Sequence, residues 1–523
     1  MWAEAWRSST WIRSLKDTLR LGFVTPPGRP RRALEGGRRP ISLASRAWAF
    51  MMHGRSTASG RANGMLEGKR RIHLIGIGGV GVSGVARALL ALGHEVTGSD
   101  VRESQITLAV RAEGATVTIG HDASLIEGAD LIVHSTAIPE TNVELQAARE
   151  QGMTIRHRAE VLGAILAQHS RSIGVVGTHG KGTVSSAITW LTDASGLKPG
   201  FIIGGLLENF EKINARVDSP DLIVAEVDES DGSLRYVHPS LVVVNNLEAD
   251  HLNYYDSLEH VQETVVSALA NNPGLERVVI NADDPGAIAL AARISVPITT
   301  FGRLEEADVR AVDVELEPMA SNFTLVAHGE NLGRFRLELP GTYNLDNAIG
   351  AIAATLAFGG EVEAVRQALP QFRGLENRFT VVEAGDRRII KDYISHPTGI
   401  RRVLAAAAAD GRRITAVFKP YRFTMINYLQ DDYAEAFHDA GETVITELYT
   451  AGEVPIPGID TEFLCQKIRD RGPKVTYIQE MDEIVRYLHE QVAAGEQAIF
   501  FGGDDLFELA DRYAEELHGG VAS

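Results

Sequence analysis

The stretch Val176-Gly177-Thr178-His179-Gly180-Lys181-Gly182-Thr183-Val184 follows an apolar run and opens a helix-like segment. Glycines in such a turn let backbone N–H groups point inward around an anion, and the following helix adds unpaired N–H donors and the positive end of its dipole. Lys181 supplies a mobile charge for the outer phosphates of a nucleotide, and Thr183 supplies a hydroxyl for Mg²⁺. Residues 177–183 are therefore predicted to form a phosphate-binding loop.

The spacing of this loop is unusual. Only two residues separate Gly177 from Gly180, and Gly182 stands between the lysine and the hydroxyl. The common nucleotide loop has four residues between its glycines and a hydroxyl directly after the lysine. A glycine-rich strand-to-helix turn with an incidental lysine is the alternative interpretation.

Polar residues follow the next two predicted strands of the same region. The apolar strand over 221–226 leads into carboxylates that begin with Glu226, and the strand over 241–246 leads to His251. Because the carboxyl ends of parallel strands meet at one edge of a sheet, we expect Glu226 and His251 to lie beside Thr183. These three residues are the predicted magnesium ligands. A solvated acidic turn and a hydrogen-bonded histidine are the alternatives.

Composition restricts the class of protein. A chain of 523 residues is too long for one hydrophobic core, so we expect three domains. The formal net charge of −18 disfavours nucleic acid or an anionic membrane as the main partner. The single cysteine, Cys465, excludes an internal disulfide and fits a reducing, cytoplasmic compartment. No apolar run reaches the length of a membrane span, so stable membrane insertion is not expected.

The predicted organisation is α/β throughout, with a Rossmann-like domain over 65–170, a central P-loop-type domain over 171–340 and a Rossmann-like domain over 341–523. In the first domain, a strand over 72–75 leads into a glycine turn and a helix, and a second strand ends in Asp100. This order is typical of dinucleotide-type folds, in which the turn admits a pyrophosphate and the acid reaches a ribose. In the third domain we predict helices over 399–409 and 433–440.

Residues 1–64 differ from the rest, since they are rich in Arg and Ser, poor in acids and without sustained periodicity. Two interpretations stay open: a disordered extension, which includes a targeting or membrane-surface segment, or a start assigned too early, with Met65 as the true first residue. The organised sequence begins only near Met65, which favours the second.

The chain resembles the Mur ligase family over residues 70–510. The resemblance rests on ordered blocks: Gly76-Ile77-Gly78-Gly79 with Ser83-Gly84, Gly177-Thr178-His179-Gly180-Lys181, Glu226-Val227-Asp228-Glu229-Ser230-Asp231, Asn246-Leu247-Glu248-Ala249-Asp250-His251, Pro340-Gly341 with Asn344, Arg378-Phe379, Asp392-Tyr393 with His396-Pro397-Thr398, and the stretch from Ala451 to Asp460. Any one block could arise by chance, but all of them in this order could hardly do so.

The resemblance implies an ATP-dependent ligase that phosphorylates the carboxylate of a UDP-sugar and joins it to an amine. It implies UDP-N-acetylmuramate and L-alanine as substrates, Mg²⁺ as cofactor, a role in peptidoglycan synthesis, and a monomer or homodimer. By resemblance, Lys181, Glu226 and His251 are catalytic, residues 177–183 bind ATP together with Asn344, Arg378 and Asp392, and the UDP-sugar lies against Gly76, Gly78, Gly79, Gly81, Ser83, Asp100 and Ser135.

The chain departs from the family pattern at several positions. Glycine replaces threonine at Gly182, and Asn253, Asn377, Lys391 and Ser395 replace an acid, an arginine, an acid and a histidine. These changes fall near the expected nucleotide and amine sites. Two alternatives therefore stay open: a Mur-type ligase for a recycled peptide or another amine, and a nucleotide-binding regulator that has lost turnover.

Overall fold

The computed structural model describes residues 64–230, 232–250 and 254–519. The predictions for residues 1–63, His251 and Asn253 lie outside this part of the chain. In the described part of the chain, three sheets of five, ten and six strands follow one another along the sequence, with helices between the strands. The predicted α/β class with three successive units is confirmed. Among the described helices, none is long and apolar enough to cross a membrane.

The first sheet is parallel, with strand order β3-β2-β1-β4-β5. Four of the five residues of the central strand β1 are buried, including His73, as expected for the middle strand of a parallel sheet with helices on both faces. The strands of this sheet, β1 to β5, are Arg71–Ile75, Glu95–Asp100, Thr116–Ile119, Leu131–His134 and Ile155–His157. The helices of the first domain, α1 to α4, are Val80–Ala91, Gln105–Ala112, Val143–Glu150 and Arg158–Leu166.

The middle sheet has the order β15-β14-β13-β12-β11-β10-β6-β9-β7-β8, with an antiparallel extension at each edge. Strands β6 to β15 are Arg171–Val176, Gly200–Leu207, Ile213–Arg216, Leu222–Glu226, Leu241–Val244, Arg277–Asn281, Ile298–Gly302, Val309–Glu317, Ala320–Ala327 and Glu330–Leu337. Helices α5 to α9 are Lys181–Ala194, Leu258–Ala270, Pro285–Ile288, Thr342–Ala357 and Val362–Ala368.

The third sheet has the order β16-β17-β21-β18-β19-β20, and only its edge strand β16 is antiparallel. Strands β16 to β21 are Thr380–Ala384, Arg387–Asp392, Ile414–Phe418, Glu442–Ile445, Val475–Tyr477 and Gln497–Phe501, and helices α10 to α14 are Pro397–Ala408, Phe423–Ala434, Thr461–Arg469, Met481–Gln491 and Asp504–Gly519.

One edge of the middle sheet carries the predicted phosphate loop and Glu226. Strands β10, β6 and β9 are direct neighbours and run parallel. The carboxyl ends of these parallel strands therefore place Asn245, Gly177 and Glu226 side by side.

Two features of the structure differ from the sequence predictions. Helix α8 packs against α5, and its apolar face joins the core of the middle sheet, as does the chain up to Leu375. We therefore propose that the boundary between the second and third domains lies after Leu375, not at residue 340. The helix predicted over 433–440 is wrong, because α11 ends at Ala434 and turns follow it.

The first domain contains a buried carboxylate, Glu144 on α3. It is fully buried, and it contacts His73 Nε2 at 2.7 Å, Ser99 Oγ at 2.9 Å and His121 Nδ1 at 2.7 Å. Burial alone would raise the pKa of Glu144, but the hydrogen bonds from His73, His121 and Ser99 lower it below its ordinary value. This carboxylate ties α3 to β1, β2 and the loop after β3.

We expect Glu144→Gln to lower the free energy of unfolding at pH 7 by about 2–3 kcal/mol, because charge-assisted hydrogen bonds to a buried carboxylate are lost. A lowered native pKa stabilises the fold above the unfolded-state pKa, and this stability is lost as the pH falls through the native value. The variant should therefore lose less stability than the wild type below about pH 4.5, where unfolded Glu becomes protonated. Denaturant unfolding from pH 7 to 3 checks both expectations, with the exposed Glu140→Gln as the control. Equal acid sensitivity of wild type and Glu144→Gln would contradict them.

Candidate active site

The loop after β6 adopts the backbone that the glycine pattern predicts. Gly177 has φ 148°, and Gly180 lies in the left-handed region as the residue before α5. A side chain at Gly180 would collide with Asn347, since its Cβ would lie 2.5 Å from Oδ1 of that residue. Glycine is thus required at Gly180 both by φ and by space.

Asn246, after β10, holds this loop in place. Its Oδ1 accepts the N–H of His179 at 2.7 Å, and its Nδ2 donates to the carbonyl of His179 at 2.9 Å. The N–H of Thr178 donates to the backbone carbonyl of Asn246 at 3.0 Å. One asparagine therefore fixes the two residues that lead into the helix N-terminus.

The ammonium group of Lys181 is turned back over the loop. Its Nζ donates to the carbonyl of Gly177 and to Glu229 Oε1, both at 2.8 Å. Burial by itself would lower the pKa of Lys181, but the carboxylates of Glu229, Asp228 and Glu226 outweigh burial and raise it. Lys181 is consequently charged at any physiological pH and is aligned with the inward side of the loop.

Glu226 lies at the end of β9, where the neighbouring strand contributes a backbone donor. The N–H of Gly204 donates to Glu226 Oε2 at 2.8 Å. A Cβ at Gly204 would approach that oxygen to 2.8 Å, so the glycine makes room for the carboxylate. Next along the chain, Asp228 pairs with Arg158 at 2.8 Å. Burial would raise the pKa of Asp228, yet Lys181 and Arg158 lower it to about 2.

A cavity, here called the loop cavity, opens between the phosphate loop, Glu226 and the third domain. Its lining includes most of the residues that the sequence predicts to bind ATP or Mg²⁺: Thr178, His179, Gly180, Lys181, Gly182, Thr183, Glu226, Asn344, Arg378 and Asp392. Gly177 belongs to the loop but does not line this cavity, and His251 lies outside the described residues. Asn344 uses its amide to donate to the carbonyl of Pro340 at 2.9 Å.

Asp392 organises the wall that comes from the third domain. Its two oxygens accept the N–H groups of Phe379 at 2.9 Å and Ile394 at 3.0 Å, and Arg378 lies 3.8 Å away. Burial raises the pKa of Asp392 in spite of these partners. The segment it holds contains left-handed backbone at Asn377, with φ 57°, a conformation that asparagine tolerates better than arginine. The asparagine at position 377 therefore suits the backbone found there.

A second cavity of about 500 Å³, here called the junction cavity, is lined by residues of all three domains. Thr136 of the first domain, Thr178 and His179 of the phosphate loop, and Tyr393, His396 and Arg422 of the third domain are among its lining residues. Thr178, His179, Arg378 and Ile394 line both cavities, so the two share a wall.

The residues predicted to contact a UDP-sugar do not all lie together. Gly76, Gly78, Gly79, Asp100 and Ser135 cluster at the carboxyl edge of the first sheet, where the N–H of Gly78 donates to Asp100 Oδ2 at 2.8 Å. Gly81 lies beneath Arg158, since its Cβ would meet that guanidinium at 3.2 Å.

Ser83 is placed elsewhere. Its side chain is fully buried between the first and middle domains, donates to the carbonyl of Val80 and accepts from Asn214 Nδ2 at 3.0 Å. The structure therefore assigns Ser83 to the packing of α1 on β8, and its prediction as a sugar contact is not supported by this position.

Two further departures have local explanations. Lys391 forms an ion pair with Asp511 of α14 at 2.6 Å. Gly182 faces Leu375, whose Cδ1 would lie only 2.7 Å from a Cβ at that position. Leu375 thus fills the space that a threonine would need.

Sequence reasoning missed three residues of this site. Glu229 pairs with Lys181, Asn347 receives a hydrogen bond from Asn245 at 2.8 Å beneath the loop, and Arg422 enters the junction cavity. Glu229 stood in a quoted acidic block, but nothing in that block distinguishes it from its neighbours. Arg422 has φ 64° and a buried Nε without a hydrogen-bond partner among the described residues, which only a folded structure reveals.

An α/β phosphate-loop domain between two further α/β domains, with a cavity at their junction, defines a multidomain nucleotide-dependent enzyme. Three family models match in succession: the Mur ligase family catalytic domain over residues 71–170, the Mur ligase middle domain over 175–355 and the Mur ligase glutamate ligase domain over 377–503. This chain belongs to the Mur ligase family.

The chain is similar to curated proteins named UDP-N-acetylmuramate–L-alanine ligase. That of Syntrophotalea carbinolica is 35% identical over 86% of this chain and 98% of its own length, and that of Dichelobacter nodosus is 38% identical over 84% and 94%. The crystal structure of the UDP-N-acetylmuramate-alanine ligase of Thermotoga maritima shares the fold, with a TM-score of 0.74, 24% identity, and coverage of 86% of this chain and 100% of that one.

The contact between Gly182 and Leu375 can be tested directly. Replacing a helical glycine with alanine ordinarily stabilises a helix by up to about 1 kcal/mol. Here we expect Gly182→Ala to destabilise the protein by about 1–3 kcal/mol, because the new methyl group overpacks against Leu375. In a double-mutant cycle with Leu375→Ala, the alanine at 182 should no longer be destabilising. Denaturant unfolding of the four proteins measures the coupling, and additive effects would refute the proposed contact.

Proposed function

We propose that this protein joins L-alanine to UDP-N-acetylmuramate in an ATP-dependent, ADP-forming reaction of peptidoglycan synthesis. The observation that carries this proposal is the shared wall of the two cavities. A triphosphate in the phosphate loop and a carboxylate in the junction cavity would meet at Thr178 and His179, which belong to both. The names of the curated relatives supply the particular substrates.

The reaction we propose has two steps. The substrate carboxylate attacks the terminal phosphorus of ATP and forms an acyl phosphate with release of ADP. The amine then attacks the acyl carbon, loses a proton to water and expels inorganic phosphate. Lys181 and the loop N–H groups stabilise negative charge on the transferring phosphoryl group, where positioning and electrostatics supply most of the catalysis.

The residues present fit a magnesium ion. Glu226, Asp228 and Glu229 lie around a single ammonium group, with Arg158 as the second cation beside them. This surplus of carboxylates, together with the hydroxyl of Thr183, offers the oxygen ligands that Mg²⁺ prefers. Thr183 and Glu226 would hold the ion, with His251 as the third predicted ligand, and Mg²⁺ when bound would neutralise phosphate charge.

Arg422 is the residue we assign to the carboxylate of the incoming amino acid. It precedes α11, its guanidinium lies 4.9 Å from the ring centroid of Tyr421, and it lines the junction cavity. A guanidinium with an unused donor recognises a carboxylate with good geometry.

The single cysteine, Cys465, is buried and unpaired, and we infer a cytoplasmic enzyme, where ATP and the nucleotide sugar are available.

The test of this function is phosphate release with ATP, Mg²⁺ and UDP-N-acetylmuramate, across a panel of amino acids and short peptides, followed by the mass of the product. We expect L-alanine to give the highest kcat/KM and a product with one added alanyl group. Preference for a peptide would instead assign the chain to peptide recycling, and nucleotide binding without turnover with any amine would identify a regulator.

The hydroxyl of Thr183 gives a sharper prediction. Thr183→Val retains the shape of the side chain but removes the oxygen, so it should raise the Mg²⁺ concentration needed for half-maximal rate and lower turnover without unfolding the protein. Thr183→Ser should keep much of the activity. Ser185 is the matched control, because its buried hydroxyl donates to the carbonyl of Lys181 at 2.8 Å and is not available to a metal. An unchanged magnesium requirement in Thr183→Val, or a larger change in Ser185→Ala, would mean that the metal is bound elsewhere.

A further inference from the structure

His396 lies at the start of α10. A hydrogen bond from this helix determines which ring nitrogen of His396 carries the proton. The backbone N–H of Thr398 donates to His396 Nδ1 at 3.3 Å, so Nδ1 caps the helix with a lone pair. A neutral imidazole has one donor and one acceptor nitrogen. The ring proton of His396 therefore resides on Nε2.

This Nε2–H group is buried and has no hydrogen-bond partner among the residues that the structure describes. Only 6% of His396 is exposed, and the ring packs against that of His179 with centroids 4.8 Å apart. Burial first, and then the neighbouring His179, lowers the pKa of His396 to about 4, although Asp250, Glu248 and Asp432 oppose this shift. The imidazole is thus neutral at physiological pH.

A metal site is the competing interpretation, because ligand atoms of His179, Glu248 and His396 lie within 4.8 Å of one another. The hydrogen bonds argue against it. Glu248 Oε2 already accepts from Thr398 Oγ1 at 3.0 Å and contacts His179 Nε2 at 3.4 Å. His396 presents an N–H at Nε2, whereas a metal needs a lone pair there.

We propose that His396 is a catalytic residue that donates the hydrogen bond from Nε2 to the oxyanion of the tetrahedral intermediate; this inference rests on the proposed function. His396 lines the junction cavity beside His179, which belongs to the wall shared with the loop cavity. When the amine attacks the acyl phosphate, the new C–N bond pushes the carbonyl electron pair onto oxygen, and the amine proton passes to water. The oxyanion then reforms the carbonyl as the C–O bond to phosphate breaks. A neutral donor fixed in a buried site stabilises such charge without reorganisation.

Substitutions can test the roles of the two ring nitrogens of His396 separately. Asn places an acceptor near the position of Nδ1 and keeps the helix cap, but it offers no donor at the position of Nε2. Gln places an amide N–H near Nε2 and weakens the cap. We expect His396→Asn to keep the wild-type thermal midpoint and to lower kcat by roughly a hundredfold, the usual cost of one oxyanion donor. His396→Gln should have a lower midpoint and a kcat within about tenfold of the wild type.

The affected step can be identified as well. In His396→Asn, borohydride trapping should still detect the acyl phosphate, while amide formation is slow and the KM for ATP changes little. The exposed His438→Asn is the control for a histidine without such a role. The wild-type rate tests the proposed function, whereas the ratio of variant to wild-type rates tests His396. Wild-type kcat in His396→Asn, an equal loss of kcat in the Asn and Gln variants, or one equivalent of tightly bound zinc in the wild type would overturn the assignment.

Discussion

The buried ion pair between Lys181 and Glu229 is the interaction on which the site depends. It holds a charged ammonium group against the carbonyl of Gly177 in the phosphate loop, where burial would otherwise favour the neutral amine. The same carboxylate cluster includes Asp228, which pairs with Arg158 at the start of α4 and so connects the middle domain to the first. One network of charges thus sets the chemistry of the loop and the junction of two domains.

At several positions where this chain departs from the family pattern, neighbouring residues compensate for the change. The space left by Gly182 is occupied by Leu375, which belongs to the segment that leads into the third domain. Asn377, two residues later, has the left-handed backbone required by the turn over Asp392. Changes at the phosphate loop and at the domain connection are therefore parts of one packing arrangement, not signs of a decaying site. This favours an enzyme over an inactive regulator.

Local sequence patterns were sufficient for much of the fold. Strand β10 lies within the predicted stretch 241–246, because a fully buried parallel strand is a continuous apolar run. The helix predicted over 433–440 failed because alanines and aromatic residues there pack in turns after α11, an outcome that only tertiary contacts decide. The sequence prediction placed α8 in the third domain, whereas it packs on the middle sheet. The reason is related, since the pattern of an apolar helix does not specify which sheet the helix covers.

The sequence by itself determined the glycine turn before α5, the position of Glu226 at the end of a strand, and the family, because glycine spacing and residues that follow strands are local properties of the chain. Only the tertiary structure decided which residues meet across domains. It brought Asp392 to the loop cavity, buried Ser83 against Asn214, and packed the ring of His396 against that of His179 in the lining of the junction cavity. These contacts join segments far apart in sequence, and no local periodicity encodes the relative placement of three separate sheets.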